Sequence, residues 1–194
     1  MSPISYSGEG RTDAILAQRL IVAAGGTPEH NYVVGRSNHG KAALDRSLHG
    51  LVIAARHGHR LLVLRDLDHD APCAASLVRR LTPELPPGFC LRIAVRAAEA
   101  WILADRDAVA RALGVERAKV PDDPEALSNP KKVLRELASA ARNREAKRLL
   151  LGIRQQMQGW VSEFVADRWN PHDAARNAPS LDRALKQIRK LAEG

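Results

Sequence analysis

The chain has 194 residues, of which 45% are hydrophobic and 27% are charged, a composition that excludes wholesale disorder and suits one domain with a sizeable core. The formal net charge is +8, and residues 131–194 contribute nearly all of it, with 14 Lys and Arg against 7 Asp and Glu. The two cysteines have no metal-ligand or disulfide spacing, and no segment resembles a signal peptide or is long enough to span a bilayer. We therefore expect a cytoplasmic protein with no membrane partner.

Short apolar strands alternate with amphipathic helices through the first 114 residues. The run Leu61-Leu62-Val63-Leu64 is typical of a strand that is buried on both faces. Strands separated by helices predict βαβ units, and hence an α/β fold with a mostly parallel four-stranded sheet. The predicted strands cover residues 3–7, 31–34, 60–65 and 89–95, and the predicted helices cover 13–24, 41–56, 72–81 and 98–113.

The second part of the chain has a different character. Residues 115–130 are rich in Pro, Asp and Asn, which predicts a loop or linker. Beyond it the pattern predicts helices only, over 131–142, 145–167 and 180–192. We therefore predict an α/β core at 1–114, a linker loop at 115–130, and a basic helical extension at 131–194 that packs on the core.

Acidic residues follow three of the predicted strands. Glu9 follows the first strand, Asp66 and Asp68 follow the third, and Glu99 follows the fourth. The carboxyl ends of parallel strands meet at one edge of a sheet, and Mg²⁺ prefers carboxylate oxygens together with water and phosphate oxygens. If the backbone stays extended, Asp66 and Asp68 point to a common side. The pattern predicts a divalent-metal site that acts on a phosphodiester.

Other interpretations of these acids are open or excluded. An EF-hand loop that starts at Asp66 would need Gly at position 71 and Glu at position 77, where the chain has Ala71 and Leu77. Asp-x-Asp is also common in ordinary loops. Asp70 is expected to cap the next helix or to face solvent, and Glu99 could simply complement a helix dipole.

The segment from Gly35 to Ala42 approaches the phosphate-binding loop pattern Gly-x-x-x-x-Gly-Lys-Ser/Thr. Ala42 has no hydroxyl group for Mg²⁺, and the loop follows the second strand instead of the first. Lys41 either contacts phosphate or only begins a solvated helix. Nucleotide binding by the Gly35–Lys41 loop therefore stays as an alternative function.

Basic residues of the extension form a candidate nucleic-acid surface. Arg144, Lys147 and Arg148 cluster in a predicted helix and could follow a phosphate backbone. A solvated helical face or an acidic protein partner explains them equally well. The tryptophans Trp101, Trp160 and Trp169 are expected in the core rather than as base-stacking platforms.

Several of these motifs together resemble the TOPRIM (topoisomerase–primase) domain. More narrowly, the chain resembles the TOPRIM-like family catalogued as domain of unknown function 4276, which is related to nucleases of the overcoming-lysogenization-defect type. The matching segments are Glu9-Gly10-x-Thr12-Asp13, Gly40-Lys41, Asp66-x-Asp68, Glu99 to Asp105, Asn129-Pro130-Lys131, and Ala178 to Leu181.

The resemblance implies a Rossmann-like TOPRIM core and a Mg²⁺- or Mn²⁺-dependent nuclease of a bacterial anti-phage or mobile-element system, often acting with an ABC- or SMC-like ATPase. Glu9, Asp66 and Asp68 carry over as metal ligands or catalytic groups, and Glu99 as a further catalytic acid. The family often has another acid just before the Glu-Ala-Trp segment, where this chain has Ala97 and Ala98. That departure implies a one-metal, slow or inactive member.

Two main functions follow from the sequence. The first is a metal-dependent nuclease. The second is a catalytically weak subunit that binds nucleic acid or the ATPase. The sequence leaves the oligomeric state of the chain open, with a homodimer as one possibility. It also does not distinguish DNA from RNA as the nucleic acid that is bound or cut.

Overall fold

The computed structural model describes residues 3–32 and 40–194. These residues form an α/β protein with an all-parallel four-stranded sheet and helices C-terminal to it, which confirms the predicted fold class. The strand order is β2-β1-β3-β4. The strands are β1 (Pro3–Ser7), β2 (Thr27–Asn31), β3 (Leu61–Asp66) and β4 (Phe89–Ala94).

Ten α-helices and two short 3₁₀ helices, Arg117–Lys119 and Pro124–Ala126, accompany the sheet within the described residues. None of these helices combines the length and the apolar character needed to cross a membrane. The helices are α1 (Arg11–Ala23), α2 (Lys41–Arg56), α3 (Ala74–Leu81), α4 (Ala98–Ala104), α5 (Arg106–Leu113), α6 (Pro130–Ser139), α7 (Arg144–Leu151), α8 (Arg154–Asp167), α9 (Pro171–Ala175) and α10 (Pro179–Glu193).

The chain forms two compact units. The first contains Met1–Ala94 and Arg183–Gly194, and the second contains Val95–Asp182. This division differs from the predicted one at 1–114, 115–130 and 131–194. The predicted linker belongs to the second unit together with α4 and α5, and the last part of α10 belongs to the first unit.

The core of the first unit lies around β3. The Leu61–Leu64 run of β3 is at most 2% exposed, as expected for a strand covered on both faces. Helices α1 and α2 bury apolar residues spaced three or four positions apart, such as Leu16 and Leu20 in α1. In the same unit, Arg60 donates hydrogen bonds to the carbonyl oxygens of Leu191 and Ala192, at 3.1 and 3.2 Å.

The second strand begins earlier than the sequence predicts. The prediction was 31–34, whereas β2 covers Thr27–Asn31, and Val33 and Val34 lie outside the described residues. β2 is an edge strand that is mostly exposed, so it needs no apolar pattern. Its Pro28 is tolerated at a sheet edge, where a missing amide donor costs little.

The second unit contains a helix break that the sequence analysis missed. The helix predicted at 98–113 is two helices, α4 and α5, which meet at Asp105. The Asp105 carboxylate is 4% exposed and accepts hydrogen bonds from the amides of Ala108, at 3.1 Å, and Asn170, at 2.7 Å. These bonds start a new helix at Arg106 and hold a distant segment against it.

The predicted helix at 145–167 is likewise two helices. It is interrupted at Gly152 and Ile153, where the Ile153 amide donates to the Gln156 side chain at 3.1 Å and so starts α8. The tryptophans Trp101, Trp160 and Trp169 are at most 8% exposed, as expected of core residues. Trp101 donates to Ser180 at 2.8 Å, and Trp169 donates to the Trp101 carbonyl at 3.2 Å.

Candidate functional site

The carboxyl edge of the parallel sheet carries the acids that the sequence singles out. β1 and β3 are neighbours, with Ser7 paired to Val63, so the segments that follow them emerge side by side. Glu9 lies two residues beyond β1, and Asp66 is the last residue of β3. In parallel α/β sheets this edge is where reactive groups and ligands collect.

Two glycines shape the backbone beside Glu9. A side chain at Gly8 would collide with Asp13, whose carboxylate accepts a hydrogen bond from the Gly10 amide at 3.0 Å. The Gly40 amide donates to the Glu9 carbonyl oxygen at 2.8 Å, and Gly40 has a φ of +101°, a conformation that favours glycine. The start of α2 is thereby attached to the turn that presents Glu9.

The Glu9 side chain joins the ends of β1 and β3. Its carboxylate accepts a hydrogen bond from the Asp66 amide at 3.0 Å and lies 3.2 Å from the Arg65 guanidinium. Burial raises the Glu9 pKa, and the charges of Asp68 and Asp45 raise it too, although the Asp66 amide and Arg65 act in the opposite direction. Burial is therefore the main reason that the Glu9 pKa lies above its ordinary value.

Arg65 is the buried cation of this edge. Its side chain is 2% exposed and contacts the carboxylates of Asp45, at 3.0 Å, and Asp70, at 2.7 Å, as well as Glu9. It also donates to the Asp66 carbonyl oxygen. Burial alone would lower the Arg65 pKa, but the hydrogen bonds to Asp45 and Asp70 and the charge of Glu9 raise it, so that Arg65 stays charged.

Asp68 lies in a turn beyond the strand. β3 ends at Asp66, and Asp68 has a φ of 46°, a left-handed conformation that Asp adopts more readily than most residues. The backbone does not stay extended beyond Asp66, so the condition under which Asp66 and Asp68 would share one side of a strand is not met. The chain leaves the strand so that the Asp68 carboxylate lies 3.2 Å from the ammonium group of Lys41.

Lys41 also contacts Asp70, at 2.9 and 3.1 Å to its two carboxylate oxygens. Hydrogen bonds from Arg65 and from Lys41 lower the Asp70 pKa. Hydrogen bonds to Asp70 and Asp68 raise the Lys41 pKa. Asp70 therefore does not cap α3, whose N-cap is Cys73, and it does not simply face solvent. It belongs instead to an ion-pair network made of Glu9, Lys41, Asp45, Arg65, Asp68 and Asp70.

The structure brings some of the predicted site residues together. Glu9, the Asp66 backbone, Asp68 and Lys41 belong to the network in the first unit. Two of its members, Arg65 and Asp45, were not predicted, although a charged residue at the end of a strand buried on both faces is a signal for Arg65. The other predicted residues, Glu99, Arg144, Lys147 and Arg148, belong to the second unit. The Gly35–His39 part of the predicted phosphate loop lies outside the described residues.

The functional roles predicted for residues of the second unit stay predictions. Glu99 is half-buried in the first turn of α4. Arg144, Lys147 and Arg148 lie on α7 and are exposed, whereas Ala146 and Leu150 of the same helix are buried. The spacing 144, 147, 148 places the three cations on one helical face.

The donor chemistry of the network suits a hard divalent cation in part. Carboxylate oxygens are the ligands that Mg²⁺ prefers, and the mutual repulsion of Glu9, Asp68 and Asp45 would be relieved by a cation. However, among residues 3–32 and 40–194, no three Asp, Glu, His or Cys side chains are arranged to hold a metal ion. A metal at this edge would therefore take part of its coordination from water and from phosphate oxygens, as Mg²⁺ commonly does.

Comparison with known proteins adds no family assignment. No protein-family model, no curated protein and no solved structure matches this chain. The TOPRIM-like resemblance therefore stays a prediction from the sequence motifs.

Proposed function

We propose that this chain is a metal-dependent nucleic-acid phosphodiesterase whose site is the carboxyl edge of β1 and β3. The observation that supports the proposal is the bond from the Asp66 amide to the Glu9 carboxylate at 3.0 Å, which holds the Glu9 side chain at the end of β3, at the edge where such sheets place their chemistry. The ATPase partner and the anti-phage setting rest on the resemblance alone.

Glu9, Asp66 and Asp68 are the residues that would hold Mg²⁺ or Mn²⁺ in this proposal. Such an ion supplies charge neutralisation at the phosphate and a more acidic bound water. Burial raises the Glu9 pKa, so Glu9 is a stronger base than an exposed glutamate. Lys41 supplies positive charge for a phosphate oxygen, and Arg65 keeps Glu9, Asp45 and Asp70 in position.

The second candidate is a subunit that binds nucleic acid without cutting it. Two observations favour it. Arg65 and Lys41 already pair with Glu9, Asp68 and Asp70, and the described residues offer no three-ligand metal group. Ala97 and Ala98 also stand where the resembled family often has an acid.

Cleavage of supercoiled plasmid and of labelled tRNA with Mg²⁺ or Mn²⁺ tests the proposal. We expect the wild type to cut at least one substrate only with metal, and we expect Asp66→Ala and Asp68→Asn to lower the rate by about 100-fold or more, a usual loss for catalytic groups. Asp107→Asn, at an exposed site paired with Arg117, is the matched control and should cut like the wild type.

The outcomes separate the two candidates. Metal-dependent cutting that is lost in both site variants and kept in Asp107→Asn supports the nuclease. No cutting by the wild type, with retained nucleic-acid binding in a gel-shift assay, would reject a self-sufficient enzyme in favour of the binding subunit. Equal cutting by all variants would point to a contaminating nuclease.

A further inference from the structure

Arg92 is a half-buried cation on β4 whose hydrogen-bonding capacity is not used. Its Nε atom is buried, and among residues 3–32 and 40–194 no acceptor lies within hydrogen-bonding distance of that atom. Buried N–H groups are nearly always paired in native proteins, so an unpaired one requires an explanation. Arg65 of β3 shows the usual arrangement, because its guanidinium contacts three carboxylates.

The sheet surrounds Arg92 with neutral side chains. Arg92 is paired in register with Leu64 of β3, which is 2% exposed, and strand alternation places Cys90 on the same face as Arg92. Burial raises the pKa of Cys90 to about 11, so the thiol is uncharged at neutral pH. These strand neighbours therefore do not neutralise the guanidinium group.

A second arginine adds positive charge beside Arg92. Arg183 lies in the part of α10 that belongs to the first unit, and its side chain is exposed. Burial lowers the Arg92 pKa most, and the charge of Arg183 lowers it as well, whereas an ionised Cys90 would raise it. Within the described part of the chain, no carboxylate is among the groups that act on Arg92.

We infer that Arg92 and Arg183 together bind one phosphate group. A planar guanidinium can donate through Nε and one terminal nitrogen to two oxygens of the same phosphate, which would give the buried Nε its missing acceptor. Two positive charges suit a phosphate, which carries up to two negative charges at neutral pH. The inference goes beyond the proposed function, because the site needs neither a metal ion nor cleavage.

Thermal unfolding of the full chain in increasing concentrations of inorganic phosphate, with chloride keeping the ionic strength constant, tests the inference. A ligand that binds only the folded state raises the unfolding midpoint with its concentration. We expect Arg183→Gln to need about tenfold more phosphate than the wild type for the same rise, since it loses a charge-assisted hydrogen bond. Arg92→Met, which keeps an apolar stem and removes the charge, should lose the specific rise.

Arg92→Met also distinguishes a phosphate site from a purely structural arginine. An unpaired buried charge destabilises the fold, so without phosphate this variant should unfold at the same temperature as the wild type or a higher one. With saturating phosphate, the wild type should unfold at the higher temperature. An arginine that serves only the packing of β4 would leave the variant less stable under both conditions.

Arg189→Gln is the matched control. Arg189 is also exposed in α10 and also belongs to the first unit, but its spacing of six residues from Arg183 places it on another face of the helix. The substitution changes the net charge by the same amount as Arg183→Gln. Phosphate also stabilises proteins without binding to a site, and that effect should be common to the wild type and all three variants.

A DNA duplex, measured by fluorescence anisotropy, distinguishes two sources of the phosphate. Weaker duplex binding by Arg183→Gln than by Arg189→Gln would assign the site to a backbone phosphate. Equal duplex binding, with a phosphate response lowered only in Arg183→Gln and Arg92→Met, would assign it to a free phosphate or a phosphate monoester. An equal phosphate response in the wild type and all three variants would overturn the site.

Discussion

At the scale of single residues, the network shows how burial and pairing compete at one carboxylate. Glu9 is 16% exposed and close to Arg65, which favours its charged form, yet burial is the largest influence and raises its pKa. Arg65 cannot compensate fully because it is shared with Asp45 and Asp70. A buried acid with a raised pKa is a common property of functional carboxylates.

The raised pKa of Glu9 predicts a pH-dependent effect of Glu9→Gln. A group whose pKa is higher in the folded protein than its ordinary value of 4.5 stabilises the fold below that value, and this contribution is lost as pH rises through the folded pKa. The free energy of unfolding of Glu9→Gln should therefore increase relative to the wild type between pH 4 and pH 7. Urea unfolding at the two pH values measures the difference.

The control for this pH experiment is Glu136→Gln, which removes one carboxylate from the exposed face of α6. Its free energy of unfolding relative to the wild type should change less between the two pH values than that of Glu9→Gln. A relative stability of Glu9→Gln that falls as pH rises would mean that Arg65 and the Asp66 amide outweigh burial.

At the scale of secondary-structure elements, local polar side chains decide where helices end. The apolar spacing over 98–113 predicts one helix, because it repeats through Asp105 without interruption. The carboxylate of Asp105 instead accepts the amides of Ala108 and Asn170, the latter 65 residues further along the chain. The bond to Asn170 depends on tertiary packing, so apolar periodicity alone does not reveal the break.

The two bonds of Asp105 predict a large decrease of stability in Asp105→Ala. Removing an N-cap costs about 1 kcal/mol, and loss of the acceptor of the partly buried Asn170 amide adds about 1–3 kcal/mol. We therefore expect the free energy of unfolding to fall by about 2–4 kcal/mol in urea titrations. Asp123→Ala, which removes an exposed cap bonded to the Ala126 amide at 3.2 Å, should cost less than about 1 kcal/mol. Equal decreases in the two variants would contradict a special role for the long-range bond to Asn170.

At the scale of the whole molecule, charge is distributed unevenly along the chain. The excess of Lys and Arg lies beyond residue 130, but the last part of that stretch, residues 183–194, belongs to the first unit, as does the proposed catalytic edge. The second unit presents Arg144, Lys147 and Arg148 on the exposed face of α7. Exposed cations on one helical face suit a phosphate backbone, and they also suit plain solvation.

Replacement of Arg144, Lys147 and Arg148 by Gln distinguishes a face that binds phosphates from one that is only solvated. If the face binds phosphates, the triple variant should bind a DNA duplex more weakly. The slope of the logarithm of affinity against the logarithm of salt concentration should become shallower by about 0.9 for each phosphate that the variant no longer neutralises. Fluorescence anisotropy over a series of salt concentrations measures both quantities.

The matched control is the triple variant of Lys131, Lys132 and Arg135 to Gln, which removes the same charge from exposed positions of the neighbouring α6. In this control variant, the slope of the logarithm of affinity against the logarithm of salt concentration should be steeper than in the α7 variant. Equal effects of the two variants would assign the binding to general positive charge rather than to α7.

The sequence alone determined the α/β class, the parallel sheet and most element positions. These follow from local spacing of apolar residues, such as Leu61–Leu64 of β3, which the chain carries whatever its neighbours are. It also placed Glu9 and Asp66 at one sheet edge, because parallel strands share their direction. The remaining predicted ligands and the nuclease activity stay predictions.

Tertiary structure alone decided how those acids are paired. The sequence does not reveal that Arg65 contacts Glu9, Asp45 and Asp70, because these partners are 5 to 56 positions away along the chain. Nor does strand alternation predict the turn at Asp68, where a φ of 46° points the chain toward Lys41. Hydrogen bonds and ion pairs between distant segments form only after the sheet has brought them together, and they set the charge balance of the site.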